Sequence, residues 1–116
     1  MQYLLAIYAA EADEPAPGTD EFEAYLGRYM TLTDEMRQAG VLQDGRPLEP
    51  VSTATTVRVR EGKTLTTDGP FAETKEQLGG FYLLDCANLD EAIAWAARIP
   101  AAEHGSIEIR PIMQLG

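Results

Sequence analysis

Two stretches of this chain, Gln2–Ala10 and Phe81–Cys86, read as strands that are apolar on both faces. In the first, Tyr3, Leu5 and Ile7 point one way while Leu4, Ala6 and Tyr8 point the other. A strand with two apolar faces must be covered twice. The remainder of the chain offers only two amphipathic segments for that purpose. Asp20–Ala39 reads as a helix with Phe22, Leu26, Tyr29, Leu32 or Thr33, and Met36 along one stripe. Its ends are marked by a capping pair, Asp20 with Glu23, and by Gly40. Asn88 and Glu91 open a second helix, with Leu89, Ala92, Ile93, Trp95 or Ala96, and Ile99 inward and Pro100 stopping it. Two helices cover one face of a sheet. The second face then calls for another copy of the chain, so a homodimer packed through its sheets is expected.

The remaining elements complete an α+β pattern. Val41–Gln43 begins a short strand, and Asp44–Pro50, broken by Gly45, Pro47 and Pro50, reads as a loop. Thr53–Arg60 alternates and is β-branched, Glu61-Gly62 turns, and Lys63–Thr67 returns as the second arm of a hairpin. Ile107–Arg110 alternates as the last strand. The order is strand, helix, short strand, hairpin, strand, helix, strand. A ferredoxin-like split βαβ arrangement with an added β-hairpin fits it.

Composition narrows the classes of function. At 116 residues the chain is one domain, 1–116. Nine basic against nineteen acidic residues give a net charge of −10, which argues against nucleic acid and against anionic membranes. The single cysteine, Cys86, leaves no internal disulfide and no cysteine spacing for a metal. It ends an apolar strand and reads as a small buried hydrophobe. Residues 2–10 are apolar but lack a basic flank and are followed by acids, so no signal peptide is expected; no stretch nears the ~20 apolar residues of a membrane span, and the expected home is the cytoplasm.

The candidate site is the stretch Asp68–Phe81. Gly69 frees the backbone, Pro70 fixes φ and pushes residue 69 out of the α region, and Asp68 is placed to lock the turn through backbone amides. Phe71 is expected to anchor the loop in the core. Glu73, Lys75 and Glu76 follow, so carboxylates and a lysine share one shaped loop. Asp68 or Glu73 would serve as general base, and Lys75 would hold an anionic substrate. Phe71, Arg58 and Tyr82 complete the expected substrate contacts, Arg58 if the hairpin folds over the loop. A structural account stands beside this one: Asp68 fixing the turn, Glu73 capping or pairing with an arginine, Lys75 and Glu76 in solvent. Asp68, Glu73 and Glu76 have no recognised metal-ligand spacing, so no metal and no cofactor is expected. His104, the one histidine, precedes Gly105 and reads as a surface turn residue.

Asp68-Gly69-Pro70-Phe71 resembles the eponymous motif of the DGPF-motif family, part of the wider YCII-related superfamily of bacterial proteins. The resemblance extends to Thr53–Arg58, Ala72–Glu76, Gly79–Tyr82 and Glu108–Pro111, nearly the whole chain. It implies a dimeric ferredoxin-like fold and says little of activity. Members are often encoded beside extracytoplasmic-function sigma factors, which implies a regulatory or accessory role as an alternative to catalysis. In the YCII branch the proposed dyad is a histidine and an aspartate, with the histidine on the first helix. Here that helix has no histidine; Arg28 and Tyr29 fall near the place. The dyad does not carry over. The readings that remain are an acid–base enzyme on a small organic acid, a ligand-binding or protein-interaction module without catalysis, and a dimeric scaffold without a site.

Overall fold

The computed structural model describes residues 1–115. Six strands and two helices follow in the order β1 (Gln2–Ala9), α1 (Asp20–Gln38), β2 (Leu42–Pro47), β3 (Thr55–Arg60), β4 (Lys63–Asp68), β5 (Gln77–Asp85), α2 (Leu89–Ala96) and β6 (Ser106–Pro111), with short 3-10 turns at Glu11–Asp13, Val51–Thr53 and Pro100–Glu103. The protein is α+β. β2, β5, β1 and β6 form one sheet in that order, every neighbour antiparallel; β3 and β4 form a separate two-stranded sheet.

One face of the four-stranded sheet holds the core. Tyr3, Leu5 and Ile7 of β1 and Tyr82 and Leu84 of β5 pack against Leu32 and Met36 of α1 and Ala92 and Ala96 of α2. Both helices therefore lie on the same side. On the other side Leu4, Ala6 and Tyr8 are paired in register with Leu83, Phe81 and Leu78, and no helix covers them. The double apolar parity of β1 and β5 is thus a property of the sheet, with one face filled by the helices and the other, half-buried, without a helix over it.

Several local expectations need correction. Asp44–Pro50 is not all loop, because β2 runs through Gly45 to Pro47 as the edge of the sheet. Glycine suits position 45 because a Cβ there would meet the Tyr82 ring at 2.7 Å; proline at 47 is tolerated at an edge. α1 is capped by Thr19 rather than Asp20, with the Thr19 hydroxyl accepting from Phe22 N–H at 3.2 Å. Asn88 caps α2 as its side chain suggests, accepting from Glu91 N–H at 2.9 Å. That helix ends at Ala96, and Pro100 opens a 3-10 turn beyond it. β5 starts at Gln77, earlier than its apolar run, so Gly79 and Gly80 are strand residues. A Cβ on Gly80 would lie 2.9 Å from the Arg46 carbonyl oxygen, so the close passage of β2 requires glycine there. No helix of the described residues is long and apolar enough to cross a membrane.

Candidate functional site

The Asp68–Phe81 stretch is shaped, though not by the residue expected to shape it. Gly69 takes φ +101°, which glycine adopts without strain. The turn is held by Gly69 N–H donating to the Ala54 carbonyl at 2.7 Å and by the Thr56 hydroxyl donating to the Gly69 carbonyl at 2.8 Å. Asp68 ends β4 with its side chain exposed, outside that network. Phe71 is 77% exposed, so it is no anchor in the core of this chain. Glu73 and Lys75 are exposed. Arg58 reaches the loop, donating to the Phe71 carbonyl at a long 3.4 Å, and not to a carboxylate. Tyr82 is a core residue: its hydroxyl meets Thr33 Oγ1 at 2.7 Å beneath α1, and Thr33 in turn donates to the Tyr29 carbonyl at 2.8 Å. Asp68, Glu73, Lys75, Phe71, Arg58 and Tyr82 are therefore not gathered into one pocket in the protomer. Glu76 alone of the loop acids is tied down, accepting from the Ser106 hydroxyl at 2.9 Å.

That tie leads to a different group at the same end of the sheet. β6 begins at Ser106 and β1 ends at Ala9, and each is flanked there by a short 3-10 turn. Glu14, just after one turn, and His104, the residue capping the other, meet with His104 Nε2 3.3 Å from Glu14 Oε2. Their side chains are only 30% and 25% exposed. His104 is thus not a surface turn residue. Gly105 makes the approach possible, since a Cβ at that position would sit 2.2 Å from the Tyr8 carbonyl oxygen. α1 supplies the other wall. The Tyr25 ring lies 6.0 Å from the His104 ring and 5.3 Å, edge to face, from Tyr29.

The electrostatics of the cluster follow from its burial. Loss of solvent, and then the neighbouring Glu14 carboxylate, push the Tyr25 hydroxyl far above its ordinary range. Burial pushes Tyr29 up to about 12. Both phenols stay protonated at any physiological pH, so neither serves as a base. Glu14 Oε2, Tyr25 Oη and His104 Nε2 are all shut from solvent, yet none completes a well-aligned hydrogen bond. Proximity is there, as the 3.3 Å separation shows; alignment is not. Buried polar atoms in native proteins are nearly always paired, so three convergent exceptions mark the place. Beside them Arg28 forms a two-pronged ion pair with Glu103, at 3.0 and 2.6 Å.

Glu14 and His104 lie ninety positions apart in a chain read singly, and the fold alone brings them together. The signal that could have pointed to them was modest: the only histidine, followed by a glycine whose missing side chain matters. Among the described residues no three His, Cys, Asp or Glu side chains are grouped to hold a metal ion.

Comparison with known proteins places the chain. A solved structure of 5-chloro-2-hydroxyhydroquinone dehydrochlorinase (TftG) from Burkholderia phenoliruptrix AC1100, in complex with 2,5-dihydroxybenzoquinone, is similar over 97% of this chain and 94% of that one, with 14% identity and a TM-score of 0.48. An uncharacterised protein of Rhizobium meliloti (strain 1021), R00369, is 40% identical over 114 residues, covering 97% of this chain and 92% of that protein. The YCII-related domain matches residues 1–116, and the chain belongs to that family.

Proposed function

We propose that this YCII-related protein binds a small organic acid at the Glu14–Tyr25–His104 cluster and performs acid–base chemistry there. The observation that carries the reading is the convergence of three solvent-shielded polar atoms, Glu14 Oε2, Tyr25 Oη and His104 Nε2, none with a completed hydrogen bond. Catalytic hydrogen bonds are often long before substrate binds and tighten with it. In the roles the geometry suggests, Glu14 orients the imidazole through Nε2 and leaves the other ring nitrogen to take a proton. Tyr25, held as a neutral phenol, donates to the oxygen on which negative charge develops. A carboxylate-bearing substrate would find a cation in Arg28 once its ion pair with Glu103 exchanges. The catalytic assignment thereby moves from Asp68 and Glu73 to Glu14 and His104. Lys75, on the loop tied to Ser106 through Glu76, stays a candidate for the approach of an anion.

The same reading makes the protein a homodimer of ferredoxin-like protomers, because the sheet face bearing Leu4, Ala6 and Phe81 has no cover from its own chain. A second reading, an accessory protein-interaction module linked to sigma-factor regulation, is favoured by the exposure of Phe71 beside the hairpin.

The test is a thermal-shift screen of small carboxylic and phenolic acids against the wild type, Glu14→Gln and His104→Asn. The expected result is a ligand whose stabilisation is lost in both variants while their unliganded melts stay within a few degrees of the wild type. Ligands that stabilise all three proteins equally would remove the cluster from the site.

A further inference from the structure

Arg28 and Arg98 share a groove on the helical side of the protein, away from the open face of the sheet. The groove, of about 490 Å³, is lined by Gly27, Arg28, Thr31 and Leu32 of α1 and, across from them, by Arg98 and Pro100. That is the size of a small-molecule site. Leu32 and Pro100 are buried and give it an apolar floor. The chain carries nineteen acids against nine bases, yet the lining holds two arginines and no acid.

Each guanidinium is tethered from outside that lining. Arg28 of α1 pairs with Glu103, and Arg98 pairs with Glu35 of α1, so the two ion pairs cross between the elements in opposite senses. Positions 28 and 35 are two turns apart on α1, about 10 Å along its axis, which sets the two positive charges toward opposite ends of the groove. The Arg98 guanidinium carbon lies 5.0 Å from the centroid of the Trp95 ring, which steadies its plane and leaves its N–H edges free to fork onto a carboxylate. The four paired side chains are 43–63% exposed. Exposed ion pairs hold little energy, so an incoming anion exchanges with either glutamate at small cost. Gly27 is an independent sign. It sits inside α1, where glycine weakens the helix relative to alanine, and a Cβ there would meet nothing within 4 Å. The packing of the chain does not ask for glycine; a side chain at this position would take up space in the groove.

The geometry points to a ligand with a carboxylate at each end and an apolar middle, lying along α1 with one carboxylate on Arg28, the other on Arg98, and its chain over Leu32 and Pro100. The inference rests on the reading of the Glu14–Tyr25–His104 cluster and names its substrate class as a dicarboxylic acid. Arg28 follows Tyr25 by one turn of α1, and its partner Glu103 adjoins His104, so the carboxylate on Arg28 brings that end of the ligand to the cluster. The carboxylate on Arg98 then selects for length.

The test is isothermal titration calorimetry of the full chain with suberate (octanedioate), octanoate, which has the same length and one carboxylate, and malonate, which is too short to span. The expected result is suberate binding tighter than either by on the order of tenfold, the worth of a second forked ion pair. Arg98→Gln should bring suberate down to the level of octanoate and leave octanoate unchanged. Gly27→Leu, which enters the groove from a position with open space and favours the helix, should weaken both ligands, and it carries the test if Arg98→Gln perturbs the fold. Octanoate binding as tightly as suberate, suberate unmoved by Arg98→Gln, or no heat from suberate at millimolar concentration would overturn the groove. Glu14→Gln separates the two readings: a variant that keeps the full affinity and the preference for suberate supports the groove while removing the cluster from the site.

Discussion

Gly105 is the position where the smallest perturbation has the largest consequence. It links the 3-10 turn at Pro100–Glu103 to β6, and its N–H donates to the Ala101 carbonyl at 2.7 Å. A Cβ added there would lie 2.2 Å from the Tyr8 carbonyl oxygen and 3.0 Å from both Ala9 Cα and Ala9 Cβ. The shortfall from an ordinary carbon–oxygen contact is on the order of 1 Å. The atom in the way is backbone, and it belongs to the central strand β1, paired on both edges. It cannot rotate aside as a side chain would. Either β6 moves away from β1 at the Tyr8–Ser106 pair, or the turn rotates and carries His104 with it. Overpacking commonly costs 1–3 kcal/mol, and a clash between backbones belongs at the upper end, about 3 kcal/mol. For a domain of this size that is a fall in Tm of roughly 10–15 °C. The control is the same substitution in α1: a Cβ on Gly27 meets nothing within 4 Å, so Gly27→Ala should stabilise by about 0.5–1 kcal/mol through helix propensity alone. Scanning calorimetry on the two variants should therefore give shifts of opposite sign. A Gly105→Ala protein melting within about 2 °C of the wild type would refute the clash and, with it, the argument that this glycine sets the approach of His104 to Glu14.

Two further outcomes follow from burial. Tyr25, Tyr29 and Tyr82 all have hydroxyls pushed above their ordinary value of 10.0, in each case chiefly by loss of solvent, Tyr29 to about 12. A folded value above the unfolded one means that the stabilisation is complete below pH 10 and is lost as pH rises from there through the folded values. Urea midpoints should hold to about pH 9 and then fall, with Tyr29→Phe flattening the fall; a midpoint unchanged through pH 11 would contradict the burial of these hydroxyls. Phe71→Ser, at a position 77% exposed, should leave protomer stability within about 0.5 kcal/mol, whereas a loss of 3 kcal/mol in a denaturant melt of a monomeric background would restore the anchoring role that the structure removes.

What was legible in the sequence was what local periodicity controls. β1 and β5 read as apolar on both faces because their side chains alternate between the helix-covered core and a half-buried groove, and both surfaces are set by strand geometry alone. The Asn88 cap and the turn at Gly69 were readable for the same reason: each is decided within four residues. Phe71 was misread because hydrophobicity says that a side chain gains from burial, not that its own chain provides the surface. β2 was misread because Gly45 and Pro47 look like breakers, while the edge of a sheet accepts proline and the Tyr82 ring demands glycine. The Glu14–His104 pair was out of reach because its closeness is a product of the whole topology. β1 and β6 must be neighbours before the ends of two short turns can touch. The same distinction separates the two candidate sites. The Asp68–Phe81 loop is conspicuous in sequence because its conformation is unusual, and that conformation is explained by Ala54 and Thr56, which hold it. The Glu14–Tyr25–His104 cluster is inconspicuous in sequence, and its solvent-shielded polar atoms lie close together without a well-aligned hydrogen bond. That difference, between a shape its neighbours hold and polar atoms gathered without well-aligned partners, is the ground on which the proposal prefers the cluster.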